Sequence, residues 1–134
     1  MDTSITQGML LEKSDDAIVL GLPRTDYQIH LAIKPLPPAD LNKPLAGRIR
    51  ARAMRVDIAT AGGRFIEPVY GRPRRLQGRI IATDADANTI TVKTACPIIC
   101  ELSSGQRADQ MPLGAIATFD VQSGATFEPI TQES

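Results

Sequence analysis

Apolar residues in this chain recur at every second position in short runs, and Gly, Pro, Asn or Asp breaks the runs every eight to fifteen residues. A strand shows one face every two residues and a helix one face every 3.6, so this punctuation predicts short strands folded on one another as a barrel or sandwich. Residues 9–12, 17–22 and 27–33 read as the first three strands, separated by Lys13-Ser14-Asp15-Asp16 and Pro23-Arg24-Thr25-Asp26, both of turn composition. A short helix over 5–13 is the one competing reading. Four prolines between 34 and 44 (Pro35, Pro37, Pro38, Pro44) exclude a central strand there and predict a loop crossing between parts of the barrel.

Beyond Leu45 the alternation sharpens. Ile49, Ala51 and Ala53 alternate with Arg48, Arg50 and Arg52; after Met54 the parity slips by one, which a bulge at Ala53-Met54 would explain. Ala61-Gly62-Gly63 reads as a hairpin loop leading into 64–70. A second hairpin joins 76–83 to 89–93 through Asp84-Ala85-Asp86-Ala87-Asn88, with Leu76, Gly78, Ile80 and Ala82 facing inward. Residues 97–102 and 115–121 complete the strands, joined by a polar loop over 103–114, and the segment after Ser123 reads as a mobile tail.

Two seven-residue stretches, beginning at Leu45 and Leu76, share Leu-x-Gly-Arg-Ile-x-Ala at an offset of 31. Two matches do not make a repeat array, and a glycine permitting tight curvature at a barrel corner accounts for both. The fold expected is all-β, a single small barrel with a bulged long strand and two hairpins. It resembles an OB-type barrel over residues 45–121, with 1–44 packed on it as strands plus the proline-rich crossover and 122–134 as the tail.

The chain's 134 residues suit one domain, and no apolar run approaches the length of a membrane helix. The N-terminus lacks the basic start and apolar stretch of a secretory signal, which makes the cytoplasm the default location and gives no membrane partner. Cys96 and Cys100 would lie roughly 13 Å apart on a strand, too far to pair with each other, and are expected as free thiols. His30 is the one histidine, so a metal site would lack ligands; no metal or cofactor is expected. Asp84 and Asp86 have the spacing of turn residues. No nucleophile elbow, phosphate-cradling glycine loop or His-Glu-x-x-His pattern occurs, so no catalytic residues are nominated.

Charge is the informative feature. Nine of the fifteen basic residues fall within 48–79 and all are arginine: Arg48, Arg50, Arg52, Arg55, Arg64, Arg72, Arg74, Arg75 and Arg79. Only Asp57 and Glu67 oppose them, so the stretch carries +7, while six bases against thirteen acids leave the remainder at −7. Arginine's planar fork fits phosphate oxygens bidentately. With Tyr70 as a stacking residue, those nine arginines form a candidate face for single-stranded RNA or DNA, provided that strands 48–55, 64–70 and 74–79 are neighbours. Aromatics at 4% make a thin stacking platform, and a pI near 6.6 is not that of a dedicated nucleic-acid domain. The alternative is a self-associating or protein-binding module, a homo-oligomer or the binder of an acidic protein, that mates basic and acidic faces.

Overall fold

The computed structural model describes residues 3–33 and 40–130; most of the proline-rich crossover expected over 34–44 lies outside them. Twelve strands account for most of the chain: β1 (Thr6–Lys13), β2 (Ala17–Gly21), β3 (Gln28–Ala32), β4 (Pro44–Arg52), β5 (Asp57–Ala59), β6 (Phe65–Glu67), β7 (Tyr70–Gly71), β8 (Arg75–Asp84), β9 (Thr89–Lys93), β10 (Pro97–Glu101), β11 (Ile116–Asp120) and β12 (Thr126–Pro129). The all-β reading holds, and the segment 5–13 forms β1 from Thr6 onward rather than a helix. Alternation turned into burial as expected on β4, where Ile49 and Ala51 are interior and Arg48, Arg50 and Arg52 face outward.

Five strands close a barrel in the order β1-β2-β3-β12-β4, with β4 returning to β1. Every neighbour in this ring is antiparallel except β3 and β12. A second ring runs β8-β9-β10-β4-β11, again with one parallel pair, β10 and β4. Its last seam is a single bridge, Ala53 to Val121, flanked by the Met54 N–H on the Asp120 carbonyl (2.8 Å) and the Gln122 N–H on the Arg52 carbonyl (2.9 Å). The two rings share β4. One apolar cluster fills both, from Leu10, Leu20, Ile29 and Leu31 through Ile49 to Leu76, Ile80, Val92 and Phe119.

The rings are two copies of one plan. In each, a three-strand meander is followed by a strand that returns to the first (β4 to β1, β11 to β8), and the remaining place is taken by a segment of the other copy, β12 in the first ring and the end of β4 in the second. The details repeat. Both first strands carry a bulge, at Leu11 and at Ile81, three residues after the glycine of Gln7-Gly8 and Gln77-Gly78. The N–H groups of Asn42 and Gly114, both at positive φ, donate to the carbonyls of Leu10 and Ile80, and the carbonyls of Lys43 and Ala115 accept from the same two residues. The Ala53 to Val121 bridge in one ring answers the Phe127 to Ile49 pair in the other. The duplication therefore relates β1 to β8. The Leu-x-Gly-Arg-Ile-x-Ala echo relates β4 to β8, which hold different places, and at each of its glycines the backbone of a neighbouring strand approaches too closely for a Cβ.

Several expectations are corrected. Residues 6–32 are staves of the first ring rather than a layer packed on a barrel formed by 45–121, because β4 offers one partner edge to each ring. No bulge lies at Ala53-Met54: the parity slip marks the end of β4, and Val56 is pinned beyond it by Gln106, whose side-chain carbonyl and amide bond its N–H (2.8 Å) and C=O (2.9 Å). Gly62-Gly63 does not close a hairpin; β5 pairs with β11 and β6 with β8, since each finds a longer partner than the other offers. The run 64–70 is divided at Pro68, which has no N–H for a ladder. Ala82 is half-buried because the bulge at Ile81 turns the parity of β8. The segment after Ser123 is ordered through Ile130: Ala125 and Phe127 are 5% and 3% exposed, and β12 fills a ring.

Candidate functional site

β4 lies between β12 and β10, and both neighbours present an acid to its outward arginines. Glu128 reaches Arg48 (3.9 Å) and Arg50 (3.8 Å), Glu101 reaches Arg52 (3.9 Å), and the Arg48 Nε also donates to Ser4 Oγ (3.2 Å). Arg55 pairs with Asp57 (3.3 Å), while Arg75 donates to Asp120 (2.9 Å) and to Thr118 Oγ1 (3.0 Å). Such exposed pairs contribute only about 0–1 kcal/mol each to stability. Their larger effect is to neutralise the β4 face locally. The sequence asymmetry of +7 against −7 is thus partly cancelled within the chain.

The structure also separates the nominated arginines. β6 and β8 are neighbours, but β4 pairs with neither, so Arg48, Arg50 and Arg52 do not share a sheet face with Arg64 and Arg79. Among the described residues, Arg64, Arg72, Arg74, Arg79 and Lys93 have no carboxylate partner. They gather at two clefts joined by β8, whose outward positions Arg75 and Arg79 lie roughly 13 Å apart at about 3.3 Å per residue. One cleft, about 640 Å³, has Arg72, Arg74 and Arg75 facing Glu67 and Asp120. The other, about 360 Å³, is bounded by Arg64, Arg79 and Lys93, and no acid lines it among the described residues. Lys93 was not nominated; the cross-strand pairing of Arg79 with Lys93 was the available signal.

A third cleft of about 310 Å³ lies on the outer side of β2 and β3. β7 pairs with β3 at Gln28 and Ile29 and β12 pairs at Ala32, which leaves a gap in the β3 edge beside His30. The Tyr70 ring stands edge-on to the His30 ring, centroids 4.7 Å apart, and His30 Nε2 is buried without a hydrogen-bond partner among the described residues. Tyr70 is 58% exposed but one side of it is committed to this contact. Arg72 lines this cleft as well as the one of about 640 Å³.

Asn88, at φ 55°, brackets the polar loop over 103–114: its amide donates to the Gln106 carbonyl (2.9 Å) and its side-chain oxygen accepts from the Ala108 N–H (2.8 Å). Asp84 accepts from the N–H groups of Asp86 and Ala87 (3.0 and 3.1 Å), which is turn chemistry as read from the sequence.

No known protein family, curated protein or solved structure matches this chain.

Among the described residues, no group of three His, Cys, Asp or Glu side chains is placed to hold a metal, and no helix is long and apolar enough to cross a membrane. Cys96 and Cys100 are free and buried. Desolvation pushes the Cys96 thiol up to about 11 from 9.0, against hydrogen bonds from Thr6 and Thr94 that lower it, and raises Cys100 further still. Both thiols therefore favour folding in their neutral form. That contribution is complete below the unfolded pKa and is lost as pH rises through the folded one, so denaturant midpoints should hold at neutral pH and fall between about pH 9 and 11. In native buffer a thiol reagent should label neither cysteine until denaturant is added; labelling of both at the free-thiol rate would contradict the packing.

Proposed function

We propose that this protein is a non-enzymatic binding module whose ligand is an anionic polymer, single-stranded RNA or DNA, held along β8 by the loop that leads into it and the loop that leads into β6. The observation that carries this reading is that Arg64, Arg72, Arg74, Arg79 and Lys93, which have no carboxylate partner among the described residues, gather at two clefts joined by β8. A meander followed by two strands of which one runs parallel to the third is read as OB-like, an architecture in which barrel faces and loops accommodate oligonucleotides. Tyr70 supplies one exposed ring, so phosphate contacts rather than base stacking dominate.

Fluorescence anisotropy of labelled single-stranded RNA and DNA at about 50 and 200 mM salt tests the reading, since several phosphate contacts should cost orders of magnitude in affinity over that range. Arg72→Glu with Arg74→Glu should weaken binding at least tenfold without unfolding the protein, because neither side chain has a hydrogen-bond or ion-pair partner among the described residues. Failure of wild-type protein to bind at the lower salt would overturn it.

A second reading is favoured by a different observation. The turns at Ser14-Asp15-Asp16 and Asp84–Asn88 occupy equivalent places in the two copies, and both are acidic. Acidic turns and unpaired cations on one molecule suit a protein partner or another copy of the chain. Sedimentation of the same charge-reversed variant distinguishes this case: loss of an oligomer seen at low salt supports it, and unchanged mass rejects it.

A further inference from the structure

The internal duplication provides a control for the basic cleft. In the first copy Met9 pairs with Gly21 two residues before the bulge; in the second copy the same two places hold Arg79 and Lys93. Pro44 stands opposite Met9 where Ile116 stands opposite Arg79. The fold is therefore satisfied by uncharged residues at these positions. Like charges placed directly across a ladder repel and destabilise it. Arg79 and Lys93 are such a pair, and no carboxylate among the described residues relieves them.

The rest of the cleft adds donors. Arg79 is held by its Nη1 on the Gly114 carbonyl (2.6 Å), which leaves its other donors free. Arg64 enters from the loop before β6, and that loop is fixed by the Gln77 side-chain amide on the Gly63 carbonyl (2.8 Å). The N–H groups of Gly62 and Gly63 donate to no protein acceptor among the described residues. Three cations, two glycine amides and no acid around about 360 Å³ describe a site for a small tetrahedral anion.

We propose that the cleft bounded by Arg64, Arg79 and Lys93 is a phosphate-binding subsite, which takes one phosphodiester group of the bound strand. The subsite deepens the polyanion reading and rests on it for the identity of the natural ligand. The mixed cleft near Arg72 and Arg74 then guides the strand, while this one fixes a phosphate.

The test combines two probes. Amide chemical shifts are followed while tripolyphosphate, and separately inorganic phosphate, is titrated to about 10 mM, and oligonucleotide anisotropy is measured on the same proteins. Two variants are used: Arg79→Glu with Lys93→Glu, and Arg64→Glu with Lys93→Glu, the latter removing only side chains that make no hydrogen bond or ion pair among the described residues. Lys93→Glu alone replaces a like-charge pair with an opposite one and should melt no earlier than wild type. Shifts at Gly62 and Gly63 that saturate in wild type and vanish in both variants support the subsite, even if no oligonucleotide binds and the module reading fails. With oligonucleotide, each variant should lose about tenfold or more, and its log affinity should depend less steeply on log salt by about 0.7 per phosphate contact removed. Unmoved glycine amides, or variants that bind the strand as wild type does while Arg72→Glu with Arg74→Glu does not, overturn the subsite and leave the module reading intact.

Discussion

A chain ended after Gln122 should fail to give the cooperative unfolding transition of the full-length protein, and Phe127→Ala alone should lower its stability by about 3–5 kcal/mol. The reason is positional. β12 is the stave between β3 and β4, so without it the first ring loses both an antiparallel partner for β4 and the parallel contact at Ala32. Phe127 is 3% exposed and lies over Gly47, where an added Cβ would sit 2.5 Å from its ring. Truncating such a ring removes its burial and leaves a cavity that packed strands cannot collapse to fill. A domain of this size has a total stability of about 5–15 kcal/mol, so the single substitution takes a large share and loss of the strand takes more. Circular dichroism through a denaturant titration reads both effects. A truncated chain with the wild-type midpoint would mean that the first ring closes without β12.

That strand was also the part of the fold least visible in the sequence. Ala125 and Phe127 are two apolar residues among polar ones near the end of the chain, too short an alternation to separate from a tail. The meanders were legible because β3, β8 and β9 alternate along their length, β2 and β10 are short apolar runs, and Asp, Asn, Ser or Pro punctuates β1 from β2, β2 from β3 and β8 from β9. Partnership was not legible. Period tells which face of a strand is buried and leaves open which strand lies beside it, so the expected hairpin at Gly62-Gly63 became two strands paired elsewhere. The duplication was hidden for a related reason: Gln-Gly at 7–8 and 77–78 is its clearest residue-level trace, whereas the longer Leu-x-Gly-Arg-Ile-x-Ala match joined strands with different places.

The arginine surface was legible as composition and misread as geometry. Alternation placed Arg48, Arg50 and Arg52 outward, as observed, but Glu101 and Glu128 are remote in sequence and meet them only because β10 and β12 flank β4. Net charge over a stretch of chain is a sum along the sequence, while a ligand responds to charge summed in space. The acid-free cleft needs the β8–β9 register to bring Lys93 beside Arg79, and no count of arginines contains that register.

Gly78→Ala should destabilise the protein by about 3 kcal/mol or more, and Gly8→Ala by about 1–2 kcal/mol, though the two glycines hold the same place in the two copies. A strand glycine exchanged for alanine would ordinarily gain about 0.5–1 kcal/mol from reduced backbone entropy in the unfolded chain. Here the space decides. A Cβ on Gly8 would meet the Leu20 side chain at 2.6 Å and the Gly21 carbonyl at 2.9 Å, an overlap that falls mainly on one side chain and is shallower than at Gly78. A Cβ on Gly78 would meet the carbonyl oxygen of Lys93 at closer range, its carbonyl carbon at 2.7 Å and the Thr94 nitrogen at 3.0 Å. These are backbone atoms of a buried turn, held by Thr94 Oγ1 on the Cys96 carbonyl (2.8 Å), and they have no rotamer to change. Relief requires β9 to move away from β8, which also displaces Lys93 from Arg79. Gly78→Ala should therefore reduce phosphate binding as well as stability, and Gly8→Ala should reduce stability alone. Denaturant midpoints and the tripolyphosphate titration, made on both variants, separate the effects. Equal loss of stability at the two glycines would show that β9 yields as readily as a leucine side chain and would remove the argument for a rigid β8–β9 edge beneath the cleft.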